Sequence, residues 1–156
     1  MLKVLQSLSD AFGVLLFALL FLVFVVQVVA RLVFGAPLAW TDEAAVILYL
    51  WAMLWGAALV CRDRDNVAFD LVYQHVSASV KRGMSLAACA LIGALAAWAL
   101  PGTVDYIAFM HRESTPVLGL PFDWVYAPFA LLLATLFARS IWRILRLLGS
   151  HWQDHL

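Results

Sequence analysis

Charged residues and cysteines are scarce in this chain of 156 residues. Only 13% of the residues are Asp, Glu, Lys or Arg, whereas 65% are hydrophobic. A soluble domain of this length needs a polar surface, and this composition leaves too few polar side chains to cover one. Ten basic residues balance ten acidic ones, so no overall charge favours nucleic acid. The composition therefore predicts an integral membrane protein.

The motifs that usually carry catalysis or bind a metal are also missing. The two cysteines, Cys61 and Cys89, are far from any CxxC spacing and are interpreted as packing residues. All four histidines lie outside the apolar stretches, so none is placed to be an axial haem ligand. No nucleophile elbow, P-loop or HExxH motif occurs. The sequence thus predicts neither an enzyme nor a metal or cofactor site.

Four apolar segments are long enough to cross a hydrocarbon core of about 30 Å, which takes roughly 20 residues. They cover about residues 11–34, 44–61, 83–104 and 117–138 of a single membrane domain, 1–156. These runs lack the alternation of a transmembrane barrel. Lipid leaves a lone segment no other way than a helix to pair its backbone groups. The predicted fold class is therefore all-α, with four transmembrane helices.

The ends of two spans are less clearly marked. Pro101 lies close to the end of the third span, where its missing N–H is expected to kink or end the helix. The fourth apolar run, 124–138, is short on its own, and residues 117–122 are expected to lengthen it.

Basic residues near the helix ends indicate the orientation. Arg31 and Arg112 lie on one side of a four-span chain. The other eight basic residues share the opposite side: Lys3, Arg62, Arg64, Lys81, Arg82, Arg139, Arg143 and Arg146. This distribution predicts that both termini and the middle loop face the cytoplasm.

Amphipathic segments are predicted at the cytoplasmic interface. In the segment of about residues 66–82, apolar side chains recur at helical spacing opposite polar ones. Near the C-terminus, Trp142, Leu145 and Leu148 share a helix with three arginines. Such helices suit headgroups and anionic lipid, or simple anchoring of the chain.

Small and aromatic residues in the spans favour close helix contacts. The third span has small residues at Ala90 and Ala94, and again at Gly93 and Ala97, a spacing that lets helix backbones approach. In the second span, Trp51 and Trp55 share one face and Gly56 follows. For the small residues, packing within the chain and packing against another protein both remain open. The two tryptophans are expected to face either lipid or a partner helix.

A polar corner is predicted where the second span begins. Thr41 is expected to cap this helix, and Asp42 and Glu43 follow at its positive end, beside Trp40. Arg31, at the end of the first span, is close enough to pair with either acid. The corner is interpreted as a structural cap with an ion pair, or as a contact to a larger subunit.

The order of these residues resembles a known family. The motifs that carry the resemblance are Arg31-x-x-Phe34, Trp40-x-Asp42-Glu43, Trp51-x-x-x-Trp55-Gly56-Ala57-Ala58 with Arg62, and Ser114-Thr115-Pro116-x-Leu118-Gly119-Leu120-Pro121 before Tyr126 and Pro128. They resemble the small membrane (Q) subunit of tripartite ATP-independent periplasmic (TRAP) transporters over nearly the whole chain. One departure is Asn66, which stands where the family usually has a histidine.

The resemblance implies a location in the inner membrane of a bacterium and a division of labour among three proteins. A soluble periplasmic protein binds an organic acid, a large membrane subunit carries it across with sodium, and the small subunit packs against the large one and helps to dock the binding protein. On this reading Arg112, Glu113 and Asp123 are expected to contact the binding protein.

The predicted function is accordingly a non-catalytic scaffold subunit of a sodium-coupled importer. The alternative is a homo-oligomeric four-helix exporter or channel, although the membrane carboxylate that such proteins use is not evident. A third possibility, a redox subunit that binds haem or quinone, has no residues to support it.

Overall fold

The computed structural model describes residues 2–35, 38–60 and 77–149. These residues form four long helices: α1 is Leu2–Phe34, α2 is Ala39–Trp55, α3 is Ala78–Met110 and α4 is Phe122–Leu148. A π-helical turn, Gly56–Val60, continues α2. All four helices are long and apolar enough to cross a membrane. This confirms the predicted all-helical class with four candidate spans.

One predicted feature lies mostly outside the described residues. Of the predicted amphipathic segment, about residues 66–82, the structure describes only the part from Ser77. The helix α3 begins at the next residue, Ala78. Asn66 also lies outside the described part.

The surface of α1 is that of a helix in an apolar solvent. Its large apolar side chains are mostly exposed, among them Phe17, Phe21 and Leu32. The helix has 33 residues, or about 50 Å at 1.5 Å per residue, which exceeds the hydrocarbon thickness of roughly 30 Å. Gly35 ends it with φ +67°, a left-handed conformation that glycine adopts without a Cβ clash.

The third helix runs past Pro101. The expectation that this residue ends the helix is wrong, since α3 continues for nine more residues to Met110. Proline removes one backbone hydrogen bond, but the adjoining turns can compensate for one missing donor in a long apolar helix. Pro128 is likewise held inside α4.

The fourth helix begins later than expected and ends later too. Residues 117–121 form a turn and an isolated β-bridge rather than a helical extension, so α4 starts at Phe122. It then runs without a break to Leu148 and includes Trp142, Leu145 and the three arginines near them. The prediction that these residues share a helix is confirmed.

The described chain divides into two compact units. One comprises Met1–Val60 with Thr103–Leu132, and in it α1 packs along α2 and its π-helical turn. Trp55 lies against α1: its ring meets that of Phe12 edge-on, with centroids 4.6 Å apart, and its Nε1–H donates to the Ser9 carbonyl at 3.2 Å. Gly13 lets α1 approach the π-helical turn closely, because a Cβ there would lie 3.3 Å from the Val60 side chain.

The other unit comprises Cys61–Gly102 with Leu133–Leu156, and its described helices meet at a glycine. A Cβ added to Gly93 would lie 3.0 Å from the Cβ of Ser140, which is buried. The alanines at 87, 90, 94 and 97 are exposed instead. The small residues of α3 therefore divide: Gly93 and Ala96 are buried, and these four alanines lie on the outer surface.

Candidate functional site

The corner at the start of α2 is tied to the α3–α4 loop by Glu43. Its Oε2 accepts hydrogen bonds from the backbone N–H groups of Val117, at 3.1 Å, and Leu118, at 2.7 Å. Its other carboxylate oxygen is buried and has no hydrogen-bond partner in the described part of the chain. One carboxylate thus joins two segments that are more than 70 residues apart in sequence. Hydrogen bonds to an ionised acceptor are stronger than neutral ones.

The loop is also closed on itself through Thr115. The Thr115 N–H donates to the Leu120 carbonyl at 2.9 Å, and the Leu120 N–H donates back to the Thr115 hydroxyl at 2.9 Å. Gly119 turns the chain with φ +65°, and its N–H donates to the Thr115 carbonyl. Thr115 is buried, whereas the apolar side chains of Val117 and Leu120 are exposed. The loop is therefore a compact projection with an apolar tip.

Asp42 is bonded to α1 through an amide. The Gln27 side chain donates to the Asp42 carboxylate, which brings the end of α1 beside the start of α2. Arg31, one turn after Gln27, is exposed and forms no ion pair with Asp42 or Glu43. The expected ion pair is therefore wrong, because both acids have other partners. Trp40 is exposed in the first turn of α2.

Thr41 stabilises the helix start from inside the first turn. The N-cap residue is Leu38, in an extended conformation, so the prediction that Thr41 caps the helix is wrong by three residues. The Thr41 hydroxyl instead donates to the Leu38 carbonyl at 2.6 Å, and its side chain is 0% exposed. A buried hydroxyl needs such a partner. Asp42 does lie in the first turn, as predicted, where the helix dipole favours a negative charge.

The residues expected to contact a binding protein flank the loop. Arg112 and Glu113 are exposed, and Asp123 lies in the first turn of α4. His111, a residue that sequence reasoning did not place here, lies 2.7 Å from the Asp123 carboxylate through its Nδ1. The only signal for this pair is that both residues border the same short loop. The pair joins the end of α3 to the start of α4.

The comparison with known families decides what kind of chain this is. Residues 20–149 match the family described as tripartite ATP-independent periplasmic transporters, DctQ component. The chain belongs to this family. It is therefore the small membrane subunit of a TRAP transporter, a transport component and not an enzyme. The corner and the loop both lie inside the matched residues.

A curated relative of this DctQ component comes from Haemophilus influenzae. It is the sialic acid TRAP transporter permease protein SiaT, which is 25% identical over 80 residues. The match covers 51% of this chain but only 13% of the relative. The similar segment is thus a small part of a much longer permease.

Trp51 and Trp55 lie toward the other end of α2. Trp55 is twelve residues after Glu43, or about 18 Å along a helix, and it packs against α1. Trp51 is half-buried, and Gly56 opens the π-helical turn with no atom within 4 Å of an added Cβ. The candidate partner-binding residues of this DctQ component therefore form two groups, one at each end of α2: Arg31, Trp40, Asp42 and Glu43, and Trp51, Trp55 and Gly56.

We expect Glu43 to control the order of the α3–α4 loop. Glu43→Ala removes the acceptor of two backbone N–H groups, so hydrogen exchange in peptides that cover residues 115–120 should rise about tenfold, which corresponds to the loss of one charged hydrogen bond. Glu43→Gln keeps an acceptor oxygen and should have a smaller effect. Hydrogen exchange read by mass spectrometry measures both.

Asp42 provides the matched control, because it is adjacent in sequence and bonds Gln27 instead of the loop. Asp42→Ala should leave exchange at residues 115–120 unchanged. Equal exchange in Glu43→Ala and the unmodified chain would contradict the assigned role of Glu43.

Proposed function

We propose that this chain scaffolds the large transport subunit of a sodium-coupled importer of organic acids, and that it helps to dock the periplasmic binding protein. The observation that carries the proposal is the family match over residues 20–149. It makes the chain one component of a tripartite system. Transport and substrate binding are then assigned to the other components.

A large membrane partner is supported by the relative SiaT. There, a segment similar to this chain is 13% of a protein named as a permease. Where the small segment is a separate chain, the equivalent arrangement is a non-covalent complex with a large subunit. The exposed apolar surfaces of the helices leave ample area for such a contact.

Transport itself is assigned to that partner. No Asp, Glu or Lys lies near the middle of α1, α2, α3 or α4, where a proton relay or ion site is expected. A sodium site and the site for an organic acid then belong to the large subunit. The full name of SiaT gives sialic acid as its substrate, and sialic acid is a carboxylic acid.

Docking of the binding protein is assigned to the α3–α4 loop. With both termini in the cytoplasm, as the eight-to-two distribution of basic residues favours, this loop faces the periplasm. Glu43 and Thr115 hold it in one conformation. Arg112 and Glu113 are exposed beside it, and they offer both signs of charge to a soluble partner.

A pull-down of this chain from its native membrane in mild detergent tests the scaffold role. Mass spectrometry should find a large, multi-spanning partner in stoichiometric amount. Recovery of the chain alone as a defined oligomer would reject the proposal and favour the exporter alternative.

Arg31 is expected to act in subunit assembly. It is exposed at the end of α1 and has no carboxylate partner at the corner, so a partner subunit can supply an acceptor. Arg31→Ala should lower the yield of complex by roughly fivefold, as expected for the loss of about 1 kcal/mol. The affinity of the binding protein for its substrate should not change.

The reciprocal variant is Arg112→Ala, in the loop. It should leave the yield of complex unchanged and lower uptake that depends on the binding protein. An undiminished yield with Arg31→Ala would remove this residue from the subunit interface.

A further inference from the structure

The last turns of α4 carry a concentrated positive charge. Arg139, Arg143 and Arg146 fall within eight residues, and the only acidic residue of the helix is Asp123, in its first turn. Arginines near a helix C-terminus are favoured by the helix dipole. Residues 133–149 contain no Asp or Glu, so the last turns of α4 carry basic residues and no acidic ones.

An exposed apolar surface adjoins these arginines. Trp142 is 61% exposed and Leu145 63% exposed, and Leu148 follows them. Ser140 and Leu147, two turns apart on the opposite side of α4, are buried. One side of α4 is thus buried in the chain. Its other side exposes three large apolar residues next to the arginines.

Arg146 is pre-organised at the boundary of the two surfaces. Its guanidinium carbon lies 4.8 Å from the centroid of the Trp142 ring, a cation–π contact. Stacking uses the flat face of the guanidinium and leaves its N–H edges available for an oxygen acceptor. Arg143 is half-buried and three residues earlier, so its side chain lies on a neighbouring position of the same helix surface.

We propose that Arg143 and Arg146 bind the phosphate of one anionic phospholipid, whose acyl chains lie along Trp142, Leu145 and Leu148. Charge complementarity selects this occupant, since the described last turns of α4 present two cations and no carboxylate beside an exposed apolar surface. A zwitterionic lipid brings its own cation to the same place and binds less well. The site goes beyond the scaffold role and depends only on the location in the membrane.

The test measures which lipids stay with the protein. The chain is purified in mild detergent with the subunit that accompanies it, phosphatidylglycerol or phosphatidylcholine is titrated in, and native mass spectrometry counts bound lipids. The unmodified chain should bind one phosphatidylglycerol in preference to phosphatidylcholine. The double variant Arg143→Gln with Arg146→Gln should lower this affinity on the order of tenfold.

Two further variants make the test specific. Arg112→Gln removes an exposed arginine of the α3–α4 loop and should leave the affinity for phosphatidylglycerol unchanged. Trp142→Leu keeps an apolar side chain but loses the cation–π contact, and should lower phosphatidylglycerol affinity a few-fold, since such a contact is worth about 0.5–1 kcal/mol. Helical content by circular dichroism confirms that each variant is folded.

The outcomes separate this inference from the scaffold proposal. Equal affinity for the two lipids, or an unchanged affinity in the double variant, would overturn the lipid site. Loss of the large subunit from the double variant with phosphatidylglycerol still bound would also overturn it, and would place the two arginines at the subunit interface. The yield of complex from the unmodified chain tests the scaffold role separately.

Discussion

Gly93→Ala should lower the free energy of unfolding by about 1–3 kcal/mol, the usual cost of one added methyl group in a packed contact. The new Cβ would lie 3.0 Å from the Cβ of Ser140, closer than two carbon atoms pack without repulsion. Because Ser140 is buried on α4, the two helices must move apart to accept the change. Unfolding in mixed micelles of mild detergent and dodecyl sulfate measures the difference.

A second substitution should reverse much of this loss. Ser140→Gly removes the atom that the added methyl group meets, at a cost of about 1 kcal/mol for glycine in a helix. The double variant should therefore be more stable than the sum of the two single changes implies, which is the sign of direct contact.

Gly102 is the matched control on the same helix. An added Cβ there meets no atom within 4 Å, so Gly102→Ala should be neutral or slightly stabilising through helix propensity. If both alanine variants had the same effect, the contact between Gly93 and Ser140 would not be a determinant of stability.

Trp55→Ala should be the most damaging single change in α2, lowering the free energy of unfolding by about 3 kcal/mol. It removes the ring that packs on Phe12 and the Nε1–H that donates to the Ser9 carbonyl. Trp55→Phe keeps most of the ring packing and loses the hydrogen bond, so about 1 kcal/mol should be lost. The same micelle titration compares the three proteins.

Trp98 is the matched control for Trp55, because it is a tryptophan without such contacts in the described part of the chain. It is 83% exposed on α3, so Trp98→Ala should scarcely change the unfolding of the isolated chain. Comparable losses from Trp55→Ala and Trp98→Ala would show that the loss comes from a general effect of tryptophan in the membrane rather than from the contact with α1.

The helices could be predicted from the sequence because a membrane span is a local property. Twenty apolar residues in succession have one way to satisfy their backbone in lipid, and the four runs become α1, α2, α3 and α4. The class of protein followed from the same observation. Which membrane side each loop faces stays a prediction.

The ends of the helices depended on distant contacts. Residues 117–121 are apolar enough to read as the start of a span, yet they form a turn whose N–H groups bond to Glu43. No local pattern announces a partner more than 70 residues away. The opposite error concerns Pro101. The local rule for proline predicts a kink or an end at this residue, but α3 continues past it to Met110.

The bonds at the start of α2 differ from those that the sequence suggested. Charge suggested that Arg31 pairs with Asp42 or Glu43, whereas the neutral amide of Gln27, one turn earlier on α1, bonds to Asp42. A one-turn difference in helix position is beyond what sequence spacing resolves across a connection. In α3, likewise, spacing alone could not tell that Gly93 faces inward while Ala94 and Ala97 face outward.

The π-helical turn at Gly56–Val60 has a consequence for comparing this chain with its relatives. A π turn closes its hydrogen bonds over five residues instead of four, so it holds one residue more than an α-helical turn. In the π-helical turn, the residues that face α1 are therefore shifted by one position in sequence from where the α-helical spacing of α2 would place them. A relative that is one residue shorter between these positions can keep the same side chains against α1, so an alignment gap inside this span is compatible with an unbroken helix.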